Sequence, residues 1–351
     1  MPVDPQFHSY IAGWTPVGRG TLRRTAAAAR SGPSMKTRSL VLLLSLAGLL
    51  HSAATGQTPP AAPASPATVA TPAATATPVP PVDPALFDYD RSAPLNLAEV
   101  GRETRDGALI RDITFAGTKS PVTAYLVTPV ESAGPHAAVL WVHWFGDKAT
   151  TNRTQFLGEA VALAQRGVVS LLVDGIWSQP KWWETRTRET DLPAGIAQVI
   201  DLRRALDLLV AQPGVDANRL AVVGHDFGAM YASIAGALDG RAKTFVFAAP
   251  TPRMSNWYLF TYKLTPPEVE AYRALLRPLD PLEWAAKLAP KSVFFQFASK
   301  DRYVPARHAW EYYSAALPRK VMATYETDHD MHLPAVAEDR AAWLVRELEL
   351  K

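Results

Sequence analysis

The clearest chemical signal in the chain is Gly224-His225-Asp226-Phe227-Gly228. An apolar run, residues 219–223, precedes it, and a run of small residues, 229–236, follows. Strand, sharp turn and helix in that order form the setting of a nucleophile elbow. Glycines two before and two after the central residue let the strand and helix approach closely. The central side chain is then held above a sheet at the positive end of a helix. Here it is a carboxylate, Asp226. Taken alone, the motif also suits a loop in which the aspartate caps a helix. Two further residues set it apart. Asp301 stands just past the strand-like segment 293–297, and His329 just past 321–325. Nucleophile, acid and histidine in this chain order, each at a strand end, can form a triad. The acid fixes the imidazole tautomer and the histidine moves the protons. His332 is the alternative base. The earlier position for an acid, Ala249-Pro250-Thr251-Pro252, offers no carboxylate.

Negative charge developing at such a site needs backbone donors. One is expected from the amide after the nucleophile, Phe227. The other is expected from His143-Trp144-Phe145-Gly146, with Phe145 ahead of Trp144 as donor. His143 reads as a structural hydrogen-bonding residue below the site. The segment 174–183 holds three tryptophans, so Trp177 together with Trp144 can form apolar walls for a small-molecule substrate. A loop pinned by buried tryptophans reads equally well. Arg186 and Arg188 follow. They could hold an anionic substrate, but neighbouring Glu184 and Glu189 make a solvated mixed-charge face the simpler reading.

These residues need a scaffold, and the pattern supplies one. Residues 109–115 and 122–128 alternate as a hairpin. Residues 137–142 are a continuous apolar run, as in a strand buried on both faces, and 168–173 reads as another buried strand. Helical patterns at 153–166 and 193–210 alternate with strands at 220–223, 244–248, 293–297 and 321–325, and helices at 306–316 and 334–350 follow. The expected fold class is α/β: a mostly parallel eight-stranded sheet with helices on both faces. Residues 250–290 break the rhythm with aromatics and prolines, forming a short insertion after the sixth strand. It is either a small cap or a surface excursion.

The N-terminal part reads differently. Met35-Lys36-Thr37-Arg38, the eleven apolar-rich residues 40–50 and small residues at 52–54 have the form of a secretory signal peptide, residues 35–56. Residues 1–34 then read as an upstream mis-start. Residues 57–84 contain nine prolines among Ala, Thr, Ser and Val and are expected to be an extended linker. The folded domain is expected over 85–351, exported to the periplasm or secreted. The formal charge of +3 misleads: six of 36 Lys/Arg and one of 33 Asp/Glu lie in residues 1–56, leaving 30 basic against 32 acidic. No basic stripe suggests nucleic acid. With no cysteine, thiolate nucleophiles, disulfides and Cys-held metals are excluded. The eight histidines are scattered, so no metal or other cofactor is expected. The oligomeric state has no signature in the sequence.

Residues 100–351 resemble the α/β-hydrolase superfamily. The opening hairpin, from Asp112-Ile113-Thr114-Phe115 to Tyr125-Leu126-Val127-Thr128-Pro129, resembles the dienelactone-hydrolase and acyl-peptidase-like branch. That branch usually carries Ser or Cys where Asp226 stands. The elbow resembles those of epoxide hydrolases and haloalkane dehalogenases, whose nucleophile is aspartate. Phe227 replaces the dehalogenases' usual Trp, and Gly146 replaces the epoxide hydrolases' usual Pro. The latter resemblance implies tyrosine acids above the site, for which Tyr258, Tyr262 and Tyr272 are candidates; Tyr258 and Tyr262 are expected to touch substrate. A carboxylate attacking an ester carbonyl gives an anhydride while expelling a poor leaving group. Attacking an sp3 carbon, it gives an alkyl-enzyme ester that water activated by His329 can hydrolyse. The expected activity is therefore cleavage of an epoxide, alkyl halide or similar bond. The alternatives are an esterase using Asp226 as a base to water, or a non-catalytic binding domain.

Overall fold

Four strand segments are mostly apolar, and each is buried on both faces: β4 (His136–Val142), β5 (Val168–Val173), β7 (Thr244–Ala248) and β8 (Ser292–Ala298). They lie in the middle of one nine-stranded sheet in a computed structural model that describes residues 80–131, 134–146, 152–317 and 319–351. The other strands are β1 (Ala98–Arg105), β2 (Ala108–Ala116), β3 (Pro121–Pro129), β6 (Val215–His225) and β9 (Lys320–Tyr325). The order is β1-β2-β3-β5-β4-β6-β7-β8-β9. Pairing from β5 through β9 is parallel, and β1, β2 and β3 join antiparallel.

The sheet has nine strands where the sequence pattern predicts eight. The extra strand is β1, at the edge. Its residues Ala98-Glu99-Val100-Gly101-Arg102-Glu103-Thr104-Arg105 are almost all exposed, so it lacks the apolar alternation that betrays a half-buried strand. Cross-strand chemistry ties it down instead, with Glu99 accepting from Arg111 at 2.6 Å.

Helices cover both faces. On one face, α1 (Leu157–Ala164) shares a core cluster with Val139 and Trp141 of β4 and with Trp343 and Leu344, which belong to the last helix, Pro334–Glu347. The bidentate pair of Arg340 and Glu159 links these two helices. Strand side chains alternate in direction, so Leu140 and Val142 face the other side. There α2 (Arg188–Val210) packs on α3 (Phe227–Asp239). The first of these begins five residues before Pro193, because the Thr190 hydroxyl accepts from the Thr187 N–H at 3.0 Å and stabilises an earlier start.

After β7 comes the insertion, which contains the short turn Ser255–Tyr258, α4 (Pro266–Leu276) and the turn Pro281–Trp284. Beyond the insertion lie α5 (Ala306–Ala315) and α6 (Pro334–Glu347). The expected leader (1–34), signal segment (35–56) and all but the last residues of the linker (57–84) lie outside the described residues. Among the described residues no helix is long and apolar enough to cross a membrane.

Candidate active site

β6 ends at His225, and the chain turns directly into α3 at Phe227. Asp226 between them adopts φ 54° and ψ −120°, a conformation that costs an L-residue energy and persists only where the surroundings enforce it. Both flanking glycines are required by space. A Cβ on Gly224 would lie 2.6 Å from the Ala229 backbone, and one on Gly228 would lie 2.2 Å from the Val142 carbonyl oxygen. The tight turn places the Asp226 carboxylate at the carboxyl edge of the sheet, where open α/β sheets bind ligands.

Three neighbouring strand ends bring the partners. The loop after β4 presents the Phe145 N–H, which donates to Asp226 Oδ2 at 3.1 Å. Asp301, past β8, accepts from His329 Nδ1 with its Oδ2 at 2.7 Å. Its other oxygen accepts from the Tyr303 and Val304 amides at 2.8 and 2.9 Å, which fixes the carboxylate plane. His329, past β9, turns Nε2 toward Asp226 Oδ1 at 3.7 Å. That is too long for a hydrogen bond but close for two charges. Both atoms are buried and neither has a hydrogen-bond partner among the described residues. Asp226 is 1% exposed and His329 5%. Burial by itself would push the His329 imidazolium down, but the carboxylates of Asp226 and Asp301 outweigh it and lift the pKa to about 10. The resting site is therefore a protonated imidazole between two carboxylates.

His332 is exposed, with its ring edge-on to Trp144 at 6.1 Å, and it is His329 that meets Asp301. Of the two candidate loop donors, Phe145 faces the carboxylate; the Trp144 N–H donates instead to Gln155 Oε1 at 2.9 Å. Phe227 opens α3, where first-turn amides have no intrahelical acceptor. His143 is structural: its Nδ1–H donates to the Trp144 carbonyl at 2.7 Å, and its Nε2 accepts from the Gly175 amide at 3.0 Å. Burial drives its pKa down to about 4, so it is neutral.

The aromatic residues need more correction. Trp177 is buried behind Phe227, with ring centroids 5.7 Å apart, and donates Nε1 to the Trp144 carbonyl. It supports the wall rather than forming its inner surface. Tyr258 pairs its hydroxyl with that of Tyr231 at 2.7 Å. Tyr262 donates to Asp191 Oδ2 at 2.8 Å, and Tyr272 donates to the same oxygen. Arg186 lies on no solvated face. It is buried, pairs with Asp191 at 2.8 Å and sits 4.4 and 4.2 Å from the ring centroids of Trp183 and Tyr258. Arg188 does lie at the surface, 3.5 Å from Glu268.

The first turn of the insertion touches the site: the Trp257 ring lies 5.4 Å from His329 and 5.6 Å from Phe227. The Tyr303 ring stands edge-on to His329 at 5.3 Å. Neither Trp257 nor Tyr303 was marked by any sequence motif. A surface hollow of about 260 Å³ lies elsewhere, where α2 meets α4 at Arg188, Glu268 and Leu275. No cluster of three or more His, Asp or Glu side chains able to hold a metal ion occurs among the described residues.

No family model matches the sequence, and no curated protein matches it. Solved structures do. An acetyl xylan esterase from Paenibacillus sp. R4 aligns with TM-score 0.60 and 20% identity over 75% of this chain and 91% of its own. Acetyl xylan esterase 1 from Thermoanaerobacterium sp. JW/SL YS485 aligns with TM-score 0.59 and 16% identity, again over 75% and 91%. A protein of Klebsiella pneumoniae subsp. pneumoniae MGH 78578, described as a dienelactone hydrolase, aligns with TM-score 0.52 and 16% identity over 69% and 98%. At these identities the likeness is one of fold. The chain has the α/β-hydrolase fold, and the structures it resembles include the branch that its opening hairpin resembles.

Proposed function

We propose that the chain is an exported hydrolase that cleaves a carbon–heteroatom bond at an sp3 carbon through an ester on Asp226. One observation carries the reading: Asp226 Oδ2 rests on the Phe145 N–H while Oδ1, buried and without a partner among the described residues, faces His329 Nε2. Export rests on the basic, apolar and small-residue pattern of residues 35–56.

In the first step Oδ1 attacks carbon, and the bonding pair of C–X leaves with X. Asp226 thereby becomes a neutral ester. His329 loses one of the two carboxylates that raise its pKa, and its proton becomes easier to release. Neutral His329 then takes a proton from water, whose oxygen adds to the Asp226 carboxyl carbon. Charge appears on Oδ2, which already accepts from the Phe145 amide, and on this reading the Phe227 amide is its second donor. Collapse releases the alcohol, protonated by His329, and leaves Asp226 as a carboxylic acid; its remaining proton passes to His329, which restores the carboxylate and the imidazolium. Overall, R–X and water give R–OH and HX. Leaving groups that depart as stable anions fit best, because the hydroxyls of Tyr262 and Tyr272 are both engaged by Asp191.

The test is intact mass of the His329→Gln protein after incubation with a panel of alkyl halides, epoxides and activated esters. An added alkyl mass mapping to Asp226 is expected. The names of the similar structures favour a second reading, an esterase in which Asp226 serves as base to water. That reading takes over if no adduct forms while the wild type hydrolyses the activated esters.

A further inference from the structure

Gln155 and His225 have no part in the steps above, yet they join the loop after β4 to the elbow and to the loop after β9. His225 Nε2 lies 2.9 Å from the backbone oxygen of His329. A carbonyl only accepts, so Nε2 carries the hydrogen and Nδ1 of the neutral ring must accept. The ring is neutral, because burial and then the charge of His329 hold its pKa well below the usual value. Nδ1 accepts from Gln155 Nε2 at 2.7 Å, and this turns Gln155 Oε1 toward the Trp144 N–H, 2.9 Å away. The Trp144 indole stacks on the His225 ring at 5.2 Å with planes 7° apart. A single carbonyl, that of His329, thus sets the orientation of the whole series.

We propose that Gln155 and His225 are positioning residues that hold the Phe145 amide against Asp226 and act on hydrolysis of the ester rather than on its formation. The proposal rests on the Asp226 ester reading. By anchoring the Trp144 amide, Gln155 sets the next peptide unit, whose N–H meets Asp226 Oδ2 at 3.1 Å. During attack on carbon, negative charge leaves Asp226, so this N–H contributes more to the starting carboxylate than to the transition state. During hydrolysis charge builds on Oδ2, and the same N–H stabilises the transition state. Loosening it should slow the second step alone.

The experiment compares wild type, Gln155→Leu, His225→Phe, the double variant and His329→Gln with n-hexyl bromide. Pre-steady-state bursts, kcat and KM, intact mass during turnover and thermal melts are recorded. Gln155→Leu is expected to lower kcat about tenfold, less than the loss of a whole oxyanion donor. KM should fall with kcat, and hexyl ester should accumulate on Asp226 behind an unslowed burst. His225→Phe should do the same, and the double variant should cost no more than either alone, because the two residues act in series. If Gln155→Leu melts early, the near-isosteric Gln155→Glu replaces it. That variant still accepts from Trp144 but cannot donate to His225 Nδ1, and should slow hydrolysis as His225→Phe does. An adduct in His329→Gln with none in Gln155→Leu, or equal slowing of burst and turnover, overturns the positioning role alone. No adduct in any variant overturns the ester reading and this proposal together.

Discussion

Among the described residues, the buried carboxylates Asp191 and Asp226, each beside a cationic side chain, differ in how their atoms are satisfied. Around Asp191, one oxygen accepts from the Arg186 guanidinium and from the hydroxyls of Tyr262 and Tyr272. Arg186 also donates to the Tyr258 carbonyl and the Thr261 hydroxyl, which ties the loop before α2 to the insertion. Around Asp226, by contrast, one oxygen is held by the Phe145 amide, and the other faces an imidazole nitrogen that, like it, has no hydrogen-bond partner among the described residues. Burying a charge is costly unless hydrogen bonds compensate. In the first group the Asp191 oxygen is compensated, although Arg186 Nε has no partner among the described residues, and the group fastens two segments. The second keeps two buried atoms available, on a strained backbone, at the edge of the sheet. Both carboxylates are buried beside a cationic side chain; whether the oxygen facing that cation is engaged separates fastening from chemistry.

Removing the open carboxylate should break the comparison most sharply. Asp226→Asn is expected to lower kcat at least about a thousandfold while folded protein is still recovered, as kcat and a thermal melt will show. Asp191→Asn should do the converse. It leaves the Arg186 charge buried without its counter-ion, so urea unfolding should report a loss of about 3–5 kcal/mol, with turnover retained by the folded fraction.

A pH series distinguishes the two groups more finely. The folded-state pKa of His329 is raised, to about 10, above an unfolded value of about 6.5. Its contribution to stability is therefore fully present below about pH 6.5 and is lost as pH rises toward 10. Within that window the folded state holds one proton more than the unfolded state, so stability should fall by about 1.4 kcal/mol per pH unit from this group. His329→Gln should remove that slope in urea titrations at several pH values, whereas Asp191→Asn should leave it in place. The smallest effect is expected at His332. Its ring is exposed, and His332→Ala should leave kcat within about twofold in the same assay.

The Asp226 group was legible in advance because its requirements are local. Close packing at Gly224 and Gly228 demands glycine whatever lies around them, and Asp301 and His329 each stand a few residues beyond an apolar strand. The parallel sheet showed for the same reason: strands buried on both faces are continuous apolar runs. The Asp191 group left no such trace. Its members Arg186, Asp191, Tyr262 and Tyr272 span two elements, and the arginine, next to glutamates in the chain, resembled a solvated face. The Gln155–His225 series was hidden too, since nothing near Gln155 marks it as the partner of a residue seventy positions away.

By itself, then, the sequence determined which residues stand at strand ends and in what order, because steric need and hydrophobic periodicity act over a few residues. Tertiary structure alone decided which tyrosine hydroxyls are already engaged, which amide faces the nucleophile, that His329 rather than His332 meets Asp301, and that an almost fully exposed segment forms a ninth strand. Hydrogen-bond partners distant in the chain are chosen by how loops and helices pack over the sheet, and no short window of residues encodes that choice.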